Sequence, residues 1–343
     1  MITPGQTLTP KLVTIALPMW KRLEYLPHIL KVIEAQDYPF IHLLISDNGM
    51  NGNKVRDAVD LHYSRPYTFR QNSSIAEIPE HFNQLVQEAT GEYFTLVSDD
   101  DEISPNFISE LVGLLEQHPE ASLALARQEI MNGEGVVVRK SNDVPTSVMS
   151  GAEFIRRTWQ HYTFGYEALG TNVARTAAIV AAGGYPNFKR GSGMENALII
   201  KLCLNNYVAI SQSCVWRWRV YESSHGWSVS ISDLATSTKD FMRYLDTDPG
   251  IRESAKVNPA QWEELKAALV HNEWQTYFWR WRDVYKTRLP YFKWIKAAFA
   301  MPFLLDYYRN VASVFRNDAK MQIKKLFGKH DPAVGEVGYF GRH

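Results

Sequence analysis

The stretch Gly91-Glu92-Tyr93-Phe94-Thr95-Leu96-Val97-Ser98-Asp99-Asp100-Asp101-Glu102 decides how this chain folds. Tyr93 to Val97 is a short run of apolar, aromatic and β-branched residues, the pattern of a strand buried within a sheet. Three consecutive aspartates then stand at its carboxyl end, where mutual repulsion makes it costly to desolvate them together. Two readings fit. Acids favour the positive end of a helix dipole and Pro105 follows, so the triplet suits a solvated helix N-terminus. It suits equally a hard divalent cation held by one or two carboxylates, with water and phosphate oxygens completing the shell.

Upstream, Val13-Thr14-Ile15-Ala16-Leu17 ending at Pro18 reads as a buried strand, and His42-Leu43-Leu44-Ile45-Ser46 as a second. Leu26, Ile29, Leu30 and Ile33 form a helical stripe within Leu23 to Gln36. Asp47-Asn48-Gly49 is a turn, because Asn and Gly tolerate positive φ. Thr68-Phe69-Arg70 is a weak third strand, and Pro79 to Ala89 a helix. Strands alternating with helices predict a parallel α/β sheet, whose ligands bind at the carboxyl ends of the strands. Those ends carry Pro18-Met19-Trp20-Lys21-Arg22, Asp47-Asn48-Gly49 and Ser98 to Glu102, so the polar chemistry gathers on one edge. No GxGxxG or GxxxxGK[ST] loop follows the first strand. A metal clamp would take over the phosphate-holding role of such loops.

These motifs, in this order, resemble the inverting GT-A glycosyltransferases, and in particular the large bacterial family 2 that builds surface polysaccharides. The resemblance covers roughly residues 10 to 230. It implies a Rossmann-like mixed sheet, a nucleotide-diphosphate sugar as co-substrate, and Mg or Mn as cofactor. It implies that Pro18, Trp20 and Arg22 line the nucleotide pocket with Asn48, and that Asp47 contacts base or ribose. Asp100 matches the last carboxylate of the family's DxD motif, the ligand of the metal that bridges the diphosphate. Ser98 stands where the first aspartate of that motif is usual, so Asp99, on the nucleotide side, and Asp101, as a metal ligand, are further candidates. The family commonly carries an Arg-x-His-Gly-like segment after a later strand, whose histidine can reach the metal or the leaving diphosphate, and this points to His225.

Further along, Phe107 to Leu115 reads as a helix, Ser122 to Arg127 as a strand, Gly133-Glu134-Gly135 as a turn, and Thr171 to Ala182 as a strand running into a helix. Trp216-Arg217-Trp218-Arg219-Val220-Tyr221 alternates like a strand. Gly193-Met194-Glu195-Asn196 before an apolar run resembles the family's acceptor side, where an acidic pair opens a helix beneath the donor sugar. Inverting transfer needs a base to take the proton of the attacking hydroxyl, and a carboxylate within hydrogen-bond reach supplies it. The family usually shows Glu-Asp here, and Asn196 cannot accept that proton, so Glu195 is the candidate base. A helix cap is the plainer reading of the same residue.

From Trp274 to Lys325 the composition changes: eleven basic residues face three acids, a local charge of +8, with fourteen aromatic rings interleaved. Packed core, a nucleic-acid surface and an interfacial helix on anionic lipid are the three readings, and the last suits an enzyme with a lipid-linked acceptor. The whole chain, by contrast, balances 37 Lys and Arg against 37 Asp and Glu over 343 residues, which argues against a nucleic-acid binder. Two cysteines, Cys203 and Cys214, are too few for a disulfide framework. No apolar run approaches the roughly 20 residues of a membrane span, and no secretory signal opens the chain. The expected organisation is a catalytic domain over 1–230, a helical extension over 231–330 suited to a membrane surface, and a tail over 331–343. The expected setting is cytoplasmic, peripheral on the inner face of the membrane, with a glycan or lipid-linked glycan as acceptor. Two rival functions remain. A sugar-phosphate nucleotidyltransferase would want a Gly-rich loop after the first strand. A non-catalytic membrane-surface adaptor would leave the acidic site degenerate.

Overall fold

The structure, a computed structural model, describes residues 9–166, 168–221 and 229–285. The N-terminal half alternates as the sequence predicts: β1 (Thr9–Met19), α1 (Leu26–Glu34), β2 (Ile41–Asp47), α2 (Lys54–His62), β3 (Tyr67–Gln71), α3 (Ile78–Glu88) and β4 (Gly91–Leu96), α2 being the one helix the sequence reading did not single out. β1 lies at the centre of this half, parallel to β2 on one side and to β4 on the other, and β3 extends the sheet beyond β2. Continuous burial along β2 and β4 explains why both read as unbroken apolar runs.

The second half departs from pure alternation. It comprises β5 (Glu102–Ile103), α4 (Phe107–Gln117), β6 (Ala121–Met131), β7 (Val137–Lys140), β8 (Ser147–Ser150), α5 (Gly151–Ile155), β9 (Val173–Arg175), α6 (Thr176–Ala181), α7 (Met194–Cys203) and β10 (Tyr207–Arg219). β9 runs antiparallel between β4 and β6, giving the order β3-β2-β1-β4-β9-β6-β10-β5 among the described residues. The sheet is therefore mixed, as the family resemblance implies, rather than wholly parallel as the alternation alone predicts. β9 has only three residues and pairs antiparallel with both of its neighbours.

Successive residues of β4 face opposite sides. Tyr93 and Val97 enter a core shared with Leu26, Ile29 and Ile33 of α1 and with Phe107 and Leu111 of α4. Phe94 and Leu96 face Ile179 of α6 and Leu198 of α7. α4 starts at Phe107, beyond the acidic triplet, and Asp99, Asp100 and Asp101 are all buried. That overturns the solvated helix N-terminus: these acids are inside the protein.

The chain divides into two compact units, 1–269 and 270–343. α8 (Ile231–Thr247) and α9 (Pro249–Val257) thus fall within the first unit, with the start of α10 (Pro259–Tyr285). Lys201 of α7 reaches Asp248 at the α8–α9 junction at 2.8 Å, and the Ser237 hydroxyl of α8 donates to the Ser192 carbonyl. These segments, in the range expected as an extension, pack within the first unit because α8 lays down an amphipathic face with Leu234, Phe241 and Leu245 buried. No helix among the described residues is long and apolar enough to cross a membrane. The basic, aromatic stretch from residue 286 to 325 and the tail 331–343 lie outside the described residues, as does His225.

Candidate active site

The Val97 N–H still bonds the Ala16 carbonyl, at 3.0 Å, and the chain then leaves the sheet at Ser98 beside the end of β1. The triplet is fixed from the far side by β10, because β5 pairs antiparallel with it, Trp216 opposite Ile103 and Arg217 opposite Glu102. Asp101 is consumed by this anchoring. One of its oxygens accepts the Trp216 indole N–H at 2.9 Å and the other the Arg219 backbone N–H at 3.0 Å. Arg219 is itself buried. Its Nε donates to the Asp100 carbonyl at 2.8 Å, its Nη1 to the Gly133 carbonyl at 3.1 Å, and its guanidinium lies 5.1 Å from the Tyr25 ring centroid. Burial first, then the charge of Asp100, pushes Asp101 well above the ordinary carboxylate range, against the two hydrogen bonds it accepts.

Arg22, from the loop after β1, forks across the other two acids: Nη2 lies 2.6 Å from Asp99 Oδ1 and Nη1 2.5 Å from Asp100 Oδ2. The Tyr221 hydroxyl completes the knot, accepting from Arg22 and donating to Asp100 Oδ2 at 2.9 Å. Burial opposes the charge on Arg22, but Asp99 and Asp100 outweigh it and hold the guanidinium charged. Burial lifts Asp99 to about 7, Arg22 works against it, and the neighbouring Asp100 and Glu24 add to it. Asp99 Oδ2 is buried without a partner among the described residues. The sequence pattern places Arg22 and the acids at this edge but does not reveal Tyr221, Trp216 and Arg219 as their partners. The alternation from Trp216 to Tyr221 is the one signal available, and it groups Arg219 with Tyr221 but leaves Trp216 on the other parity.

The turn after β2 stands beside Trp20. Asp47 is fully buried, its Oδ1 accepting the Gly49 N–H at 2.9 Å and its Oδ2 the Asn51 N–H at 2.8 Å. Asn48 bonds the Ala76 carbonyl and N–H, both at 2.9 Å, and the Asn72 amide at 2.8 Å. Both side chains thus build the loop walls from within. At Gly49 an added Cβ would sit 1.9 Å from the Trp20 carbonyl oxygen, so only glycine lets the loop press there. Trp20 itself is 40% exposed, with Lys21 Nζ 5.3 Å from its ring centroid. Pro18 is half-buried on β1, opposite Ser46.

Glu195 lies on the other face of β4. Gly193, with φ 79°, takes a left-handed conformation that turns the chain into α7 and puts Glu195 in its first turn. There it lines a cleft with Phe94, Leu96, Gly170, Asn172 and Tyr185. No hydrogen bond or ion pair joins it to a described residue, and desolvation alone raises it to about 7. The helix-cap reading has no geometry behind it, since no side-chain bond caps α7. Sequence-predicted residues therefore divide in two: Arg22, Asp99, Asp100 and Asp101 meet at one knot, while Glu195 opens a separate cleft under the same strand.

Whether this knot suits a divalent cation can be judged from its donors. Asp99 Oδ2 is an unpartnered buried oxygen, and Asp100 stands beside it with its acidic neighbours outnumbering the guanidinium between them. Hard oxygen donors of this kind fit Mg or Mn, which take one or two carboxylates and fill the rest with phosphate and water. Asp101, with both oxygens engaged, is the least available of the three. Among the described residues no group of three or more His, Cys, Asp or Glu is arranged around a metal position.

Residues 14–180, just under half of the chain, match the family model described as Glycosyl transferase family 2. The mixed sheet is the GT-A fold, and the matched domain is that of glycosyl-transfer enzymes. Residues 1–349 of TarS from S. aureus, solved with UDP-GlcNAc, superpose with a TM-score of 0.57 at 17% identity, over 72% of this chain and 70% of that one. The mannosyltransferase PcManGT from Pyrobaculum calidifontis, solved with GDP-Man and Mn2+, gives 0.56 at 14% identity over 95% and 91%. At such identity these two share the fold. No curated protein matches the chain. The family match starts in β1 and stops in α6, so α7 with Glu195 and β10 with its anchors lie beyond it.

Proposed function

We propose that this protein is a metal-dependent inverting glycosyltransferase that moves a sugar from a nucleoside-diphosphate donor to a glycan or lipid-linked glycan in bacterial surface-polysaccharide assembly. The observation that carries the reading is the Asp99–Asp100 pair, buried at the carboxyl end of β4 beside β1, with Asp99 Oδ2 lacking a partner among the described residues. The two compared proteins support it: one was solved with UDP-GlcNAc and the other with GDP-Man and Mn2+.

In this reading Asp100, with Asp99 Oδ2 beside it, holds the cation. When bound, that cation neutralises the charge that builds on the departing diphosphate. Trp20 offers a ring face to the base, and the loop built by Asp47 and Asn48 closes the nucleotide pocket. On the far face Glu195 takes the proton of the acceptor hydroxyl. The new bond forms from that oxygen to the anomeric carbon as the bond to the diphosphate oxygen breaks, with inversion. A carboxyl raised to about 7 suits a base working near neutral pH.

The test is a panel of nucleotide sugars, each incubated with the full chain with and without Mn2+. One donor should be consumed, and only with the metal. Pyrophosphate-dependent nucleotidyl exchange would instead point to a nucleotidyltransferase, and binding of no donor to the adaptor. The +8 stretch from Trp274 to Lys325 argues for attachment to the inner face of the cytoplasmic membrane. Full-length protein should co-sediment with anionic vesicles at low salt and be released at 1 M salt, where the Debye length falls to roughly 3 Å. Absence from the vesicle pellet at every salt concentration would refute attachment.

A further inference from the structure

We propose that the Arg22 guanidinium is the resident cation of the acidic knot in the free protein, and that a divalent cation enters only with a nucleoside diphosphate, which draws Arg22 off the two aspartates. The inference rests on the reading above and concerns the order of binding at that same site.

Arg22 spans the two acids by separate arms, at 2.6 Å to Asp99 and 2.5 Å to Asp100, so one side chain occupies oxygens on both carboxylates. Tyr221 reinforces the hold from the other side by bonding Arg22 and Asp100 at once. A dication arriving alone would meet a fixed positive charge at contact range, with Asp99 Oδ2 the one buried oxygen of the triplet that lacks a partner among the described residues. Like charges at that spacing repel strongly where water is scarce. A nucleoside diphosphate changes the balance. It brings anionic oxygens, and a guanidinium binds phosphate in the same two-armed geometry it uses here on carboxylates. Arg22 has room to make the exchange, since 27% of its side chain is exposed whereas the two acids are nearly closed off. The arginine then passes from occupant of the cation position to a ligand of the diphosphate, and vacates Asp100 as it does so.

Manganese binding, followed by loss of the free-ion paramagnetic resonance signal, tests this without any turnover. Wild-type protein should bind Mn2+ alone weakly and bind it at least about tenfold more tightly once UDP, GDP or dTDP is added. Arg22→Gln should bind Mn2+ alone at least about tenfold more tightly than wild type, and Mn2+ alone should raise its melting temperature but not that of wild type. Tyr221→Phe, which loosens the knot while keeping the ring, should move in the same direction by a smaller factor, and it carries the test if circular dichroism shows Arg22→Gln unfolded. If both variants take up Mn2+ alone no better than wild type, yet keep nucleotide-linked binding, Arg22 is not the occupant and the inference falls while the proposed function stands. Wild-type protein that binds Mn2+ equally with and without nucleotide overturns the inference in the same way. Wild-type protein that takes up no Mn2+ with any of the three nucleotides sinks the cation clamp itself and the inference with it.

Discussion

At the sheet edge, Asp101 accepts two N–H groups and Arg22 forks across Asp99 and Asp100, whereas on the other face of β4 Glu195 meets no hydrogen-bonding partner among the described residues. The edge buries its acids and the cleft half-buries Glu195, and desolvation raises Asp99 and Glu195 alike to about 7. What differs is the compensation. In the proposed function the edge acids hold a cation, and the donors that keep them rigid leave a few oxygens over. An acid meant to take and release a proton gains from having no partner, because a fixed donor would lower its basicity.

Removing a charge at the edge should have the broader consequence, because it strikes donor binding as well as turnover. Asp100→Asn should cut turnover by about 10²–10³-fold or more, the cost of losing one preorganised electrostatic contact, and should abolish the Mn2+-dependent part of donor binding. Calorimetry with Mn2+ and the donor identified by the panel reads this directly. Unchanged Mn2+-linked affinity would move the cation away from Asp100 and end the contrast between the two acid sites.

Glu195→Gln probes the other side. Turnover should fall about 10²–10⁴-fold with donor binding nearly intact, because only proton removal is lost. Wild-type activity should fall as pH drops through about 7, the raised value of Glu195. Stability should move the opposite way. Folding raises this carboxyl from 4.5 to about 7, so below 4.5 it is neutral in both states, and stability is lost as pH rises toward 7. Glu195→Gln escapes that loss, so it should melt no higher than wild type at about pH 4 and higher at about pH 8, by up to about 3 kcal/mol. A variant that keeps near wild-type turnover would place the base elsewhere.

The same contrast explains how much can be read from the sequence. β1, α1, β2 and β4 are legible because each is a local pattern, a continuous apolar run or a stripe such as Leu26, Ile29, Leu30 and Ile33. The acids are legible because three in a row at a strand end cannot be buried without partners. Their fixing by Trp216 and Arg219 spans more than a hundred residues and depends on β5 pairing with β10, a long-range fact with no local signature. β9 is obscured for a related reason: three residues between two longer strands take their direction from those neighbours. Helices α8 and α9 lie in the range expected as a helical extension, and their burial of Leu234 and Phe241 depends on long-range packing with no local signature.

Trp216→Phe separates anchoring from chemistry. It keeps the packed ring but strips the N–H from Asp101, leaving a buried acceptor short of one donor at a cost of about 1–3 kcal/mol. Thermal melting should drop by a few degrees, at roughly 2–4 °C per kcal/mol for a unit near this size. Turnover at a temperature where the variant is folded should stay within about tenfold of wild type, because Asp99 and Asp100 keep Arg22 and Tyr221. A loss matching that of Asp100→Asn would mean that Asp101 itself acts on the donor.

The smallest effect should come from Gly170→Ala. A Cβ built at Gly170 lies 3.1 Å from Glu195 Oε1 and 3.5 Å from its Cδ, closer than most Cβ contacts but short of a clash. The carboxylate must give way by a few tenths of an ångström, and the new methyl removes water from the side of it that glycine leaves open. Displacements of about 1 Å at a reacting group cost on the order of 10²-fold, so a shift of this size should lower turnover by less than about tenfold. The added desolvation should also carry the acid limb of the pH profile upward, in the direction burial has already pushed Glu195. Melting should stay near wild type, since the methyl displaces a flexible side-chain end and no backbone atom. A pH profile over the panel-identified donor distinguishes the outcomes. A limb that moves up with little loss of turnover ties the titrating group to this cleft, whereas a limb that stays fixed while turnover falls assigns the titration to another acid and leaves Glu195 a wall of the cleft.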